Sequence, residues 1–245
     1  MPSVLITGAG KRLGRAFALG FARNGWDVIV HYNSSRDGAL KTVEEIKALG
    51  RNAIAVIADV ADKKELQRAF EKGADKCGIP DCVVSNAGVL PMRSGLQEIS
   101  AALWQNTFDI NVTSHLYLAQ IYDDALKSFK KESGRFVTLA SLGGREIWKE
   151  RIPYNTSKAA TIQLSKALAR ELAPRVAVNC VCPGAILVAG EPNANEKMMV
   201  PADRIPMQRY GTAEDVFDAV YFFATCSPYI TAQTLTVDGG YHDGR

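Results

Sequence analysis

Seven short apolar runs recur along the chain: "VLIT", "WDVIVHY", "NAIAVIADV", "DCVVSNAG", "RFVTLAS", "VAVNCVCPG" and "TLTVDGG". Helical periodicity fills the intervals at 13–24, 37–49, 62–76, 101–130, 156–172 and 213–226. The runs are nearly continuous in Val, Ile, Ala and Leu rather than alternating with polar residues, so the strands they form must be covered on both faces. Strands alternating with helices in this way predict an α/β domain with a doubly wound parallel sheet and helices on both faces. A length of 245 residues suits one such sheet, so 1–245 is expected to be a single domain. The one long irregular stretch, 185–209, is expected to be a lid over a substrate site.

The charge balance narrows the partners. A net charge of +3, from 29 basic and 26 acidic residues with no basic block, lacks the electrostatic footprint of a nucleic-acid binder. The start, "MPSVLITGAG", has no charged segment leading into a long apolar one, and no stretch approaches eighteen apolar residues. A cytoplasmic protein is expected, with neither nucleic acid nor membrane as partner. The five cysteines are odd in number and expected to be free thiols, with Cys180 and Cys182 on opposite faces of a strand. His31, His115 and His242 are scattered and there is no CxxC pair, so no metal is expected.

The stretch "TGAGKRLG", residues 7–14, follows the first apolar run and opens the first helical segment. Its glycines, Gly8, Gly10 and Gly14, place exposed amides and a helix N-terminus where a pyrophosphate is favoured. Lys11 and Arg12 occupy the turn, where small residues are usual. In an NAD site an Asp or Glu about 20 residues on binds the adenosine ribose, but "VIVHYNSSR" ends its strand with no acid. Instead Ser34, Ser35 and Arg36 open the next helix, whose N-terminus can also hold a phosphate, whether or not a serine caps it. Lys11 and Arg36 would flank a 2′-phosphate, which makes NADPH the expected cofactor.

A second group of residues lies in the carboxyl half. In "YNTSK" Tyr154 and Lys158 are four apart and share a helix face, and an ammonium beside a phenol favours the phenolate. That pair is a tunable proton donor. Ser141 ends the run "RFVTLAS" thirteen residues earlier, at the sheet edge where α/β sites lie.

Taken together and in order, the loop Thr7 to Gly14, Asp59, "NAG" at 86–88, Asn111, Ser141, Tyr154 with Lys158, "PG" at 183–184 and "DGG" at 238–240 resemble the short-chain dehydrogenase/reductase family over the whole chain. The resemblance implies a Rossmann-type fold. It also implies an NADP-dependent oxidoreductase that passes hydride to a carbonyl or C=N group while Tyr154 gives its proton to the oxygen. Ser141 would orient that oxygen. Lys158 would lower the Tyr154 pKa and bind the nicotinamide ribose, and Asn111 would carry a water that reloads the proton.

The same resemblance assigns the cofactor pocket. Asp59 would touch adenine with Val60 beside it, and Asn86, Ala87 and Gly88 would pack under the adenosine ribose. Gly8, Gly10, Lys11, Arg12 and Leu13 line the loop side, with His31, Asn33, Ser34 and Ser35 across from them. Pro183, Gly184 and Ile186 complete the pocket with Tyr154 and Lys158.

Within the family, "T-G-x-x-K-R-L-G" with "HYNSS" is most similar to the pteridine reductase branch, which implies that Lys11 and Arg12 serve the cofactor phosphates and that Arg12 also faces substrate. Two positions depart from the pattern. Ser141 stands where pteridine reductases commonly carry Asp, serine being the residue of carbonyl reductases such as β-ketoacyl-carrier-protein reductases. Val188 stands where many members carry Thr, which removes one expected cofactor hydrogen bond. The expectation is an NADPH-dependent reductase of a small-molecule carbonyl or pterin-like substrate, assembled as a homodimer or homotetramer. Pteridine or dihydropteridine reductase is the alternative enzyme, and an NADPH-binding regulatory protein the alternative of another class.

Overall fold

In the computed structural model, which describes residues 1–188 and 200–242, each apolar run becomes a strand. They are β1 Ser3–Ile6, β2 Asp27–Tyr32, β3 Ala53–Ile57, β4 Cys82–Ser85, β5 Gly134–Leu139, β6 Val176–Pro183 and β7 Thr234–Val237. The helices between them are α1 Arg12–Arg23, α2 Arg36–Ala48, α3 Lys63–Cys77, α4 Ala101–Phe108, α5 Ser114–Ser128, α6 Ile152–Leu172 and α7 Ala213–Thr225. The strands pair in parallel throughout, in the order β3-β2-β1-β4-β5-β6-β7. The order reverses between β1 and β4, so a crevice opens beyond their carboxyl ends.

Both faces of each central strand are apolar because each carries its own core. Val4, Ile6, Val28, Val30, Cys82 and Val84 pack with Phe17, Phe21, Val43 and Val220 of α1, α2 and α7. Their neighbours in sequence, Leu5, Ile29 and Val83, pack with Leu66, Phe70, Leu118 and Tyr122 of α3 and α5 on the other face. Each fully buried side chain of this size contributes roughly 1.5–3 kcal/mol. On α1 the buried positions Gly14, Phe17, Ala18 and Phe21 recur at helical spacing, which aims one stripe at the sheet.

Cys180 and Cys182 correct an expectation. Residues two apart on a strand share a face, and both thiols pack with Ala140 and Ile162 on the α6 side of the sheet. All five cysteines are free. Among the described residues, no helix is long and apolar enough to cross a membrane, and no group of three His, Cys, Asp or Glu could hold a metal ion.

The stretch expected as one helix over 101–130 is broken by a π-helical turn at Asp109–Thr113, which carries Asn111 into the interior. Such turns widen the helix locally and concentrate at functional sites. Of the irregular stretch 185–209, residues 189–199 lie outside the described residues. Its flanks are anchored: Ile186 bridges to Gly211, and Ala202–Arg204 form a short 3-10 turn.

Candidate active site

The glycine loop is built by close backbone approaches. Gly8 takes a φ of +68°, a left-handed conformation that suits a residue without Cβ. A Cβ on Gly14 would lie 2.2 Å from the Gly8 carbonyl oxygen and 2.8 Å from Asn86 Nδ2, so α1 can start directly under the loop only with glycine there. Gly14→Ala is expected to cost about 1–3 kcal/mol of stability through overpacking and to weaken dinucleotide binding about tenfold or more, checked by thermal melting and cofactor titration. Gly10 lies against Ser35, whose Oγ would be 2.4 Å from a Cβ at that position, so the first loop and the β2–α2 corner form one surface.

That surface ends in two uncapped helices. The N-cap residues of α1 and α2, Lys11 and Ser35, make no side-chain capping bond. In α3, α4 and α7, by contrast, Asp62, Ser100 and Thr212 satisfy the first-turn amides. Open N-termini favour anions, and Lys11, Asn33, Ser34 and Arg36 stand exposed around them. Arg12 adopts a φ of +49°, a left-handed backbone that costs a non-glycine residue about 1–2 kcal/mol. Such strain clusters at ligand sites.

The "NAG" turn is clamped to the loop rather than free. Thr7 Oγ1 accepts the amides of Asn86 and Ala87, both at 2.9 Å, and Asn86 Nδ2 donates to the Thr7 carbonyl at 2.7 Å. Asn86 therefore spends its side chain on shaping the loop. Leu13 packs against the core from the start of α1. Asp59 Oδ1 accepts the Ala61 amide at 2.9 Å, while Val60 is buried among the α3-side residues.

His31 is turned inward as well. Its Nδ1 accepts the Gly8 amide at 3.2 Å and its Nε2 donates to the Ala58 carbonyl at 3.2 Å, so the neutral ring braces the loop from below. Burial holds its pKa down at about 4. His115, with Nδ1 2.6 Å from Ser85 Oγ, is lowered to about 3, first by burial and then by the charge of Lys158.

Because these folded values lie below the usual 6.5, the unfolded chain binds more protons between pH 6.5 and 4. Stability is then full above pH 6.5 and lost as pH falls toward 4. By pH 5 the loss is expected to reach about 2 kcal/mol per histidine. Urea midpoints compared at pH 7 and pH 5 check this, and His31→Gln should flatten the dependence.

The carboxyl edges of β5 and β6 hold the remaining groups. Ser141 follows β5, accepts the Gly143 amide at Oγ (3.1 Å) and bonds to the Tyr154 side chain. Burial pushes the Tyr154 phenol up, while the Ser141 hydrogen bond and then the Arg151 cation pull it down. Lys158 Nζ lies 5.9 Å from the Tyr154 ring centroid and donates to the Leu139 carbonyl at 2.9 Å. Burial lowers it to about 8, so it remains mostly protonated at neutral pH. A Cβ on Gly88 would fall 3.2 Å from Asn111 Oδ1 and 3.3 Å from Lys158 Nζ, so this glycine lets both groups meet the turn.

Asn111 is held from three sides. Its Oδ1 accepts the Val89 amide at 2.8 Å, its Nδ2 donates to Ser157 Oγ at 3.0 Å, and its carbonyl accepts from Thr161 Oγ1 at 2.7 Å. At the end of β6, Pro183 closes the strand. Gly184 packs on Asp238 of the "DGG" turn, where a Cβ would lie 2.6 Å from the Asp238 Cβ.

Ser141, Tyr154, Lys158 and Asn111 thus converge beside the crevice that opens past the glycine loop. Comparison with known proteins agrees over nearly the whole chain. The family model described as enoyl-(acyl carrier protein) reductase matches residues 8–242. The chain belongs to the short-chain dehydrogenase/reductase family.

A 3-oxoacyl-[acyl-carrier-protein] reductase of Synechocystis is 36% identical over 243 residues, covering 96% of this chain and 95% of the relative. One from Staphylococcus epidermidis is 35% identical over 251 residues, with 98% of each covered. Among solved structures, a short-chain dehydrogenase from Burkholderia cenocepacia in complex with NADP superposes with a TM-score of 0.88 at 32% identity, covering 98% of this chain and 97% of that one. A 7α-hydroxysteroid dehydrogenase complexed with NADH and 7-oxo glycochenodeoxycholic acid gives 0.87 at 29% identity, with 98% and 93% covered.

As a member of this family the chain is an oxidoreductase, and its site holds residues that sequence reasoning passed over. Trp148 stacks on Tyr154, with centroids 5.9 Å apart and planes 18° apart. The approach needs Gly143, since a Cβ there would lie 3.1 Å from both rings. Arg151 is buried in the same corner. Neither sits at a motif position, and only their nearness to Tyr154 in sequence could have raised them.

Proposed function

We propose that this short-chain dehydrogenase/reductase is an NADPH-dependent reductase of a carbonyl-bearing small molecule, with Tyr154 as proton donor. The observation that carries the reading is the convergence of Ser141, Tyr154 and Lys158 at the sheet edge facing the two uncapped helices. A dinucleotide phosphate fits that cradle: α1 and α2 begin without a side-chain cap, and Lys11, Arg12 and Arg36 bring positive charge to it.

Reduced nicotinamide, when bound, supplies the hydride. The chain's residues supply the rest. Ser141 Oγ, already bonded to the phenol, holds the substrate oxygen beside it. Burial keeps Tyr154 protonated at neutral pH, so the phenol is loaded before turnover. Lys158 stays cationic next to it and stabilises the phenolate left after proton transfer. Asn111, fixed by Val89, Ser157 and Thr161, would hold the water that reprotonates the phenolate.

The curated relatives named 3-oxoacyl-[acyl-carrier-protein] reductases, and a serine at position 141, favour a ketone of the 3-oxoacyl thioester kind over a pterin. The test is purified protein with NADPH and a panel of ketones, 3-oxoacyl thioesters and biopterins, followed by NADPH absorbance. Turnover of the thioesters or ketones is expected. Turnover of biopterins alone would make the protein a pteridine reductase, and tight NADPH binding with no turnover would make it a regulatory protein.

A further inference from the structure

The chain segments 85–89 and 111–115 are hydrogen-bonded to one another at both ends. At one end the Val89 amide donates to Asn111 Oδ1 at 2.8 Å, and Asn111 Nδ2 donates to the Val89 carbonyl at 2.9 Å. At the other end, four residues back along the first segment and four on along the second, Ser85 Oγ lies 2.6 Å from His115 Nδ1. Ser85 is the last residue of β4, and His115 stands in the first turn of α5. Both are buried, and an apolar pair there would fill the core without stripping water from two polar side chains.

The first segment is itself a fixed platform, because the amides of Asn86 and Ala87 go to Thr7 Oγ1 in the glycine loop. Of the two joints on the second segment, one falls inside the π turn Asp109–Thr113 and the other just after it. Such a turn adds one residue to a helix. Taken up on the other side of Asn111, that residue would swing the Asn111 side chain by about 100°, away from Val89 and Ser157.

We propose that His115, through Ser85, is a positioning residue for Asn111. The pair locks the register in which α5 resumes after the π turn, and so keeps Asn111 at the Gly88 turn, where Lys158 Nζ also arrives. His115 acts through Asn111 and takes no part in the proton transfer itself. The inference rests on the part proposed for Asn111 in reprotonating Tyr154.

The test compares His115→Leu, Ser85→Ala and His115→Asn with the native protein, using NADPH and acetoacetyl-coenzyme A as the 3-oxoacyl thioester. Leucine fills the space without the bond, and asparagine keeps a polar group for Ser85 Oγ. In H115L and S85A, kcat is expected to fall about tenfold to a hundredfold, while KM and the NADPH dissociation constant stay within about threefold. H115N should recover most of kcat. The double variant S85A/H115L should be no slower than H115L, because the two side chains make one bond. Amide exchange reads the clamp without turnover: the Val89 amide should exchange about tenfold faster in H115L, while Val137 in β5 keeps its native protection.

Native kcat in H115L and S85A, with Val89 protection unchanged, would reduce the pair to core packing and overturn the inference. So would parallel losses in kcat, KM and melting temperature that H115N does not recover. Native turnover in Asn111→Ala would instead overturn the part given to Asn111 in the proposed function. If the native protein reduces no member of the substrate panel, the proposed function fails and Val89 exchange decides the clamp. If H115L fails to fold, S85A carries the same reading, since it removes a single oxygen atom.

Discussion

Tyr154→Phe is expected to lower carbonyl reduction by about 10² to 10⁴-fold, the range general acid catalysis contributes, while NADPH binds within a few-fold of the native affinity. The phenol oxygen is the only atom removed, and the ring keeps its stack on Trp148 at 5.9 Å and its place over Lys158. Packing at the site should therefore survive, and the loss belongs to the proton. Steady-state rates alongside a fluorescence titration with NADPH separate the two effects. A variant that still turns over at the native rate would remove Tyr154 from the acid role. The effect should exceed that of Ser141→Ala, because Ser141 orients the substrate oxygen without supplying the proton.

NADPH is expected to bind more tightly than NADH by about one to three powers of ten, at about 1.4 kcal/mol per tenfold. A hydrogen bond to a charged group contributes about 1.5–3 kcal/mol, less the cost of stripping water from the phosphate. Lys11, at the uncapped start of α1, and Arg36, at the uncapped start of α2, are both exposed, and β2 ends without an acid. Lys11→Ala should weaken NADPH much more than NADH.

The structure also selects the reversing substitution. Tyr32, the last residue of β2, has its ring in the core, so an acid there would disturb packing. Asn33 is the first exposed residue after it, and Asn33→Asp should repel the 2′-phosphate and shift preference toward NADH. Equal affinities in the native protein would assign Lys11 and Arg12 to the shared pyrophosphate or to substrate.

The sheet was legible in the sequence because its cause is local. A strand buried on both faces must be apolar through its centre, as "VLI" of β1 and "VIV" of β2 are, and each helix must carry one apolar stripe, as Phe17, Ala18 and Phe21 do. Gly8 and Gly14 were legible for the same reason, since a backbone that must touch backbone tolerates only glycine. Ser141, Tyr154, Lys158 and Asn111 were found through spacing and resemblance.

What only the tertiary structure decided are contacts between groups far apart in the chain. His31 reads as a cofactor contact until its ring is seen between Gly8 and Ala58, 23 and 27 residues away. The direction in which Tyr154 shifts depends on burial, Ser141 and Arg151 together, so the pairing with Lys158 alone points the wrong way. The π turn that carries Asn111 inward answers to Val89, Ser157 and Thr161, not to the periodicity of 101–130. Periodicity records which face of an element is dry. It does not record which polar groups meet there, and hydrogen bonds and charges act over a few ångströms that only the folded chain brings together.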